Sequence, residues 1–382
     1  MSYLEELLEG GKVGWKPLGE VAELKRGRVM SKGYFVDNAG EHPVYSSQTA
    51  NNGEIGKIKT FDFDGEAVTW TTDGANAGTV FHRTGKFSIT NVCGILKIID
   101  EEILNYKYLF YWLSIEAKKH VYSGMGNPKL MSNQMAKIPI PIPPLSAQKE
   151  IVRILDTFTE FTVELTAELT ARKQQYSYYR DQLLNLEVEE VEWKSLGEVG
   201  EVRMCKRILK QQTNDSGDIP FYKIGTFGNE PNAFISQEIF DEYKSKYNYP
   251  KVGEVLISAS GTIGRAVIFD GNDAYFQDSN IVWIENDESQ VLNKYLFYFY
   301  KIAKWHTSEG GTIKRLYNND LKKTKIPVPS LEEQARVVNI LDKFDTISNS
   351  ITEGLPKEIE LRKKQYEYYR DLLLTFPKHG SE

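Results

Sequence analysis

The sequence predicts a mixed α/β (α+β) fold: two small domains, each followed by a long helix, in an internal pseudo-twofold repeat with circular order. Three observations carry this. Long strings recur in the same order in both halves, apolar residues follow the helical heptad twice, and short β-rich runs bounded by polar turns precede each heptad segment.

The repeat comes first in the order of elements. WKPLGEV at 15–21 returns as WKSLGEV at 193–199. IPIPPLSAQKEIVRILDTF at 140–158 returns as IPVPSLEEQARVVNILDKF at 326–344, and RKQQYSYYRDQLL at 172–184 returns as RKKQYEYYRDLLL at 362–374. The offset drifts from 178 to 186 to 190 residues, each drift marking an insertion. YLEELL at 3–8 resembles YRDQLL at 179–184, so the N-terminal segment reads as the missing end of the second repeat. The arrangement is expected to be circular, with the two chain ends close together. Residues 22–105 and 200–290 share little beyond turn signals, so two copies of one scaffold carry two different faces.

In the first divergent half, strands are expected at 67–70 and 78–81 around TTDGANAG, then at 95–99. In the second they are expected at 255–258 and 266–269 around ASGTIGR, then at 281–284. A helix follows each set, KYLFYWLSIEAKKH ending at His120 and KYLFYFYKIAKWH ending at His306. The Pro-rich strings are extended, because proline and the residue before it resist helix.

Beyond those strings Ile151, Leu155, Phe158, Thr162, Leu165, Leu169, Arg172, Tyr176, Tyr179 and Leu183 alternate by four and three, a coiled-coil seam with Ser146 as its expected cap. The second copy runs Val337, Leu341, Phe344, Ser348, Ile351, Leu355, Ile359, Arg362, Tyr366, Tyr369 and Leu373. Its step from Leu355 to Ile359 breaks the alternation beside Gly354 and Pro356, where a stutter and a kink are expected. Burying the eight apolar seam residues of the first copy at about 1.5–3 kcal/mol each gives roughly 12–24 kcal/mol gross, enough to hold a rigid helical spacer together. Tyr178, Arg180, Tyr368 and Arg370 recur off the seam; a repeated exposed pair of aromatic and arginine suits a protein partner that docks twice.

With 382 residues, 41% apolar and 26% charged, the chain reads as a soluble protein of two or three domains. It has no run of the roughly 18 apolar residues a membrane span needs, and its start does not read as a secretory signal. Two cysteines, Cys93 and Cys205, fit a reducing cytoplasm better than a disulfide framework. Against the net charge of −6, cations cluster at matching places. Lys25, Arg26, Arg28 and Lys32 follow the first repeat string, and Arg203, Lys206, Arg207 and Lys210 follow the second. Lys118, Lys119, Lys129 and Lys137 close the first half; Lys301, Lys304, Lys314, Arg315, Lys322, Lys323 and Lys325 close the second. Acids gather elsewhere, as at Glu187, Glu189, Glu190 and Glu192. A charge run is ordinarily a solvated face, but matched runs at matched positions point to phosphate binding.

Polar loops complete the pattern: Ser46, Ser47, Gln48, Asn51 and Asn52; Thr71, Thr72, Asp73 and Asn76; Lys223 and Thr226; Ser258, Ser260, Thr262 and Arg265. Asn, Gln and Arg make paired hydrogen bonds to base edges in a major groove. The expected nucleic-acid contacts are therefore Lys25, Arg26, Arg28, Ser46, Ser47, Gln48, Asn51, Thr72, Asn76 and Lys129, then Lys206, Arg207, Lys210, Lys223, Thr226, Ser260, Thr262, Arg265, Lys314 and Arg315.

Catalytic patterns are not found. GMGNPK lacks the third glycine of a dinucleotide loop, and Gly56-Lys57 is followed by isoleucine rather than the hydroxyl of a phosphate loop. NPKL at 127–130 is not the Asn-Pro-Pro-aromatic string of amine methyltransferases. No histidine pair has metal spacing. Glu242 and Lys244 form an isolated E-x-K, too common to mark a nuclease. His120 and His306 are repeat equivalents that suit a structural role at a helix end. No cofactor or metal is expected.

Together the repeated PPLSAQKEIVRILD and RKxQYxYYRDxLL strings, each preceded by a variable domain, resemble the specificity subunit of type I restriction–modification systems over the full length. The resemblance implies two target-recognition domains, 1–145 and 187–330, separated by two antiparallel conserved helices, one at 146–186 and the other, with a C-terminal tail, at 331–382. Each domain would read one part of a split, asymmetric site on double-stranded DNA. The helices would act as a molecular ruler and dock two modification subunits that methylate adenine. A motor-nuclease subunit would join for cleavage, and this chain would itself be no catalyst. The unlike halves disfavour a palindromic site. The rival readings are a coiled-coil interaction scaffold that binds no DNA, and a self-contained restriction enzyme or methyltransferase.

Overall fold

The strings that recur in the sequence are the strings that pair in space. Strand Gly14–Pro17 runs antiparallel to Pro139–Ile142 with Trp15 opposite Pro141. Strand Glu192–Ser195 runs antiparallel to Lys325–Val328 with Trp193 opposite Pro327. Prolines that cannot donate to a ladder are tolerated because each ribbon has only two strands. The computed structural model describes residues 4, 7–8, 13–124, 126–185, 191–307, 314–350 and 352–376. It divides into two units, residues 1–165 with 359–382, and residues 166–358. Glu187, Glu189, Glu190 and Ile351 lie outside the described residues.

In the first unit a four-stranded antiparallel sheet has the order Ala22–Arg26, Cys93–Ile98, Ala67–Thr71, Val80–Arg83. A three-stranded sheet has the order Glu54–Ile58, Ala39–Tyr45, Ser88–Ile89, its last pair parallel. The second unit repeats both topologies from nearly unrelated sequence. Its four strands are Glu201–Arg203, Ile281–Glu285, Val255–Ser258 and Ala266–Ile268. Its three are Phe234–Ile235, Ile219–Tyr222 and Tyr275–Phe276, again with a parallel last pair. All six expected strands form, within one to two residues of their expected ends. Ala67–Thr71 is buried at every position, so both faces of that strand are covered. Gly94 lies across from Trp70, where a Cβ would come within 2.2 Å of the indole; only glycine fits.

Helix Tyr106–Glu116 continues as a tighter turn to His120, as expected, but its counterpart Asn293–Tyr300 stops six residues short of His306. Two bonds recur here. The Tyr108 hydroxyl donates to the Pro141 carbonyl at 3.1 Å, and the Tyr295 hydroxyl to that of Pro327 at 3.2 Å.

Helix Leu145–Leu184 has 40 residues, about 60 Å at 1.5 Å per residue. It begins one residue before the expected cap, so Ser146 lies inside it; in the second copy Ser330, which stands where the first has Pro144, caps the helix by accepting from the Glu333 amide at 3.2 Å. The expected stutter is a full break. Helix Leu331–Asn349 ends, and helix Gly354–Leu373 starts from a glycine at φ +80°. The seam is real but shallower than its composition suggests. Of the ten first-copy positions only Ile151, Leu155 and Tyr176 are buried, and Tyr179 is 41% exposed. That reduces the expected burial to roughly 5–9 kcal/mol gross. The helices run antiparallel within the first unit: the Arg362 guanidinium lies 5.2 Å from the Phe161 ring, Phe158 stacks on Tyr369 at 5.2 Å, and Ile151 and Leu155 share a core with Leu373. In the second unit Tyr179 stacks on Phe344 at 5.6 Å. The circular order holds as well, because Leu4 shares that first core with Leu373, Leu374 and Phe376. Among the described residues no helix is long and apolar enough to cross a membrane.

Each long helix is bolted to its domain by the same side chains. Gln148, fully buried, accepts from the Asn105 amide at 2.9 Å and donates to the carbonyls of Ile103 (2.8 Å) and Pro143 (2.9 Å). Gln334, its repeat equivalent, accepts from the Leu292 amide at 2.9 Å and donates to Gln290 (2.9 Å) and Pro329 (2.8 Å). Two turns on, Asp156 accepts from Lys107 Nζ at 2.6 Å and the Tyr111 hydroxyl at 2.7 Å; Asp342 accepts from Lys294 Nζ and the Tyr298 hydroxyl, both at 2.6 Å. Burial foremost, and then these carboxylates, raise both tyrosine hydroxyls far above their ordinary pKa.

Candidate nucleic-acid interface

In the first unit the end of strand Ala22–Arg26 meets three loops. Arg26 Nη2 donates to Thr72 Oγ1 at 3.1 Å and to the Asn91 carbonyl. Ser46 Oγ lies 2.8 Å from Thr90 Oγ1, and Asn76 Nδ2 donates to the Ser47 carbonyl at 3.5 Å. Gln48 donates to the Glu54 carbonyl, and Lys129 Nζ stands 3.9 Å from Asp73. The structure thus brings Arg26, Ser46, Ser47, Gln48, Asn51, Thr72, Asn76 and Lys129 into neighbouring loops. Thr72 is fully buried and holds Arg26 rather than facing outward. Arg28 stands nearby with its Nε 3.0 Å from Asp62 and its Nη2 on the Tyr34 hydroxyl at 3.0 Å; the latter bond keeps its charge firmly on. Lys25 pairs with Glu23 on its own strand at 3.0 Å.

The backbone here is unusual. Asn51 and Asn52 take left-handed φ of 48° and 52°, followed by Gly53 at 81°. Strain of this kind concentrates at functional sites. Three of the seven buried side-chain atoms without a partner among the described residues, on Thr71, Asp73 and Arg83, belong to this cluster. Arg83 was not singled out by sequence: VFHRTG carries no signal, and only the fold brings it under the 46–53 loop.

In the second unit Arg207, Lys210, Lys223 and Arg315 line one cleft of about 340 Å³ with Gln277 and Asn280. Arg207 Nε donates to Asp278 at 2.9 Å, while Arg315 Nη2 donates to the Ser279 carbonyl at 3.1 Å. Ser260, buried, donates to Asn280 Oδ1 at 2.8 Å. Thr226 Oγ1 accepts from the Lys223 amide at 3.2 Å and shapes that turn. Thr262 sits in the 259–265 turn, where its carbonyl accepts from Ser258. Lys206 is directed elsewhere, 5.1 Å above the Tyr247 ring, and Lys314 is exposed beside Arg315. Sequence reasoning missed Gln277 and Asn280, although the polar run Gln277-Asp278-Ser279-Asn280 between two apolar strands was an available signal. Other cluster cations are held by carboxylates: Arg203 by Glu285 (2.7 Å), Lys322 by Glu201 (2.7 Å), Lys119 by Glu116 (2.8 Å) and Lys301 by Asp345 (3.5 Å).

Off the seam the two copies match closely. Tyr178 and Tyr368 are 62% and 65% exposed. The arginines are less exposed than their recurrence suggests: Arg180 binds Asp181 and Arg370 binds Asp371, both at 2.7 Å, and each guanidinium lies 5.7 Å from a tyrosine ring one turn back. In the second unit Arg180 also lines a cleft of about 620 Å³ with Trp193, Lys304, His306, Lys323 and Lys325. His120 contacts Glu116 at 3.1 Å.

Two unlike sets of cations and amides thus stand at the same topological place in two like units. A family model described as the type I restriction modification DNA specificity domain matches residues 12–172 and 188–361, and the chain belongs to that family of specificity subunits. It is 52% identical to a type I restriction enzyme specificity subunit of Haemophilus influenzae, over 98% of both chains. It is 35% identical to the EcoR124I/EcoR124II specificity subunit of Escherichia coli, over 99% of this chain and 98% of that one. Among solved structures, the S subunit of a type I system from M. genitalium aligns over 96% of this chain and 98% of its own at a TM-score of 0.60 and 15% identity. A chain from a structure of type I complex assembly and conformational transition aligns over 95% and 98% at 0.61 and 17%. Both show the same fold.

Proposed function

We propose that residues 1–145 and 187–330 are two target-recognition domains that read the two unlike parts of one asymmetric site on double-stranded DNA. The long helices fix the interval between the parts and dock two modification subunits, and a motor-nuclease subunit joins the complex for cleavage. The observation that carries this reading is the pairing of identical topology with dissimilar loops. Arg26, Arg28 and Lys129 in the first unit, and Arg207, Lys210 and Arg315 in the second, bind phosphate. Ser46, Ser47, Gln48, Asn51 and Asn76, with Lys223, Gln277 and Asn280, supply hydrogen bonds to base edges. Thr72 and Ser260 position their neighbours. Tyr178 and Tyr368, each beside a braced arginine, meet the modification subunits. The chain supplies recognition and leaves methyl transfer to those partners.

An electrophoretic shift with pooled duplexes tests it. If about eight phosphates are neutralised, affinity falls a thousandfold or more between 50 and 200 mM salt. A slope near zero, with undiminished helix-mediated assembly, would establish a protein scaffold instead.

A further inference from the structure

Arg83, at the end of strand Val80–Arg83, is 3% exposed and forms no ion pair among the described residues. Its guanidinium is sandwiched 3.6 Å from the Tyr45 ring centroid and 4.4 Å from that of Phe81. Nη2 donates to the Asn52 carbonyl at 2.7 Å and Nε to Thr69 Oγ1 at 3.3 Å, while Nη1 is buried without a partner. Burial pulls its pKa down from the ordinary arginine value. A residue that only filled core would be cheaper as leucine or methionine. What the arginine adds is a bond to the middle of a left-handed turn, 51–53, where two consecutive asparagines hold a conformation that asparagine ordinarily adopts only singly.

The second unit contains the same device built from a different position. Arg265 precedes strand Ala266–Ile268, and its Nη1 donates to the Phe227 carbonyl at 2.7 Å, just before Gly228 at φ +77°. The Asn229 amide, in the orientation that satisfies both its ends, accepts from the same Nη1 at 3.3 Å. In each unit the arginine stands at one end of the edge strand of the four-stranded sheet, Arg83 as its last residue and Arg265 immediately before its first. In each it ends on a backbone carbonyl in the loop that follows the central strand of the three-stranded sheet. The arginines sit at opposite ends of their strands, so the shared sequence strings do not account for the match.

We infer that Arg83 and Arg265 are specificity-determining positioning residues, each fixing from behind the backbone of one base-reading loop and so governing one half-site. This rests on the two-domain reading above. Neither arginine touches DNA in this arrangement; each holds the loop that does.

The test uses the full chain assembled with its modification subunit, selecting bound duplexes from a randomised pool at several salt concentrations. Arg83→Met lowers discrimination at one half-site by roughly tenfold per base pair its loop reads and leaves the other as in wild type; Arg265→Met does the reverse. The salt slope stays at the wild-type value in both. Equal loss at both half-sites, or no change at either, overturns the inference. So does a slope reduced by about one, which marks a phosphate contact. Should Arg83→Met fail to fold, Arg265→Met, at a half-buried position, decides the matter alone. A wild-type complex that selects no two-part sequence refutes the functional reading itself and removes the tethers' role with it.

Discussion

Replacing Gln148 by leucine removes three hydrogen bonds from a site with no exposure to solvent. The side chains are similar in volume, so no large cavity adds to the cost. What remains is one stranded donor, the amide of the Asn105 cap, and two carbonyls that lose a partner. At about 1–3 kcal/mol for each buried group left unmet, and less where a carbonyl keeps a second bond, the expected cost is roughly 3–6 kcal/mol. That is a large fraction of the ~5–15 kcal/mol that holds a typical domain folded. Urea unfolding followed by tryptophan fluorescence measures the loss, and hydrogen exchange at Asn105 localises it. Gln334→Leu does the same at the Leu292 amide, and since the two glutamines share no partner their effects add. A cost under about 1 kcal/mol with unchanged exchange at Asn105 would refute the reasoning that these amides bolt each helix to its domain.

Gly354→Ala places a Cβ within 2.4 Å of the Thr346 carbonyl oxygen at φ +80°, so it destabilises by at least about 1–2 kcal/mol in thermal unfolding; an unchanged Tm contradicts the helix break described above. Burial pushes the thiols of Cys93 and Cys205 up to about 12, leaving both protonated and covered; neither is alkylated by iodoacetamide at pH 8 in the folded chain, and both react once it is unfolded. Removing the Arg207 and Arg315 side chains weakens binding to all sequences alike and lowers the salt slope by about one each, read by titration at four or five salt concentrations. A change confined to specific sequences would make them base readers.

The repeat made the architecture legible, because strings that recur also pair: Trp15 with Pro141, and Trp193 with Pro327. It also contained the bolts at Gln148, Gln334, Asp156 and Asp342, whose identity in both copies was the available signal. Seam depth was not legible. Heptad spacing reports which face a residue occupies, whereas burial depends on how closely a second helix approaches, and Thr162, Leu165 and Leu169 are only half covered. The break between helices Leu331–Asn349 and Gly354–Leu373 was visible as Gly354 and Pro356, but its extent depends on which carbonyls the following turn meets. The candidate interface was legible by residue type and not by orientation. Lys301 and Arg203 belong to cation clusters yet are held by carboxylates brought close only by folding. Thr72 and Ser260 lie in the right loops but face inward. Arg83 had no sequence signal, since its role comes from a loop 31 positions away.

The most direct measurement is the methylome of cells expressing this chain with its modification subunit. Two dissimilar half-sites at one constant separation are predicted, shifting to a new separation when both helices are shortened by equal heptads. A palindromic site, a single undivided motif, or an unaltered separation in the shortened variants would contradict the account.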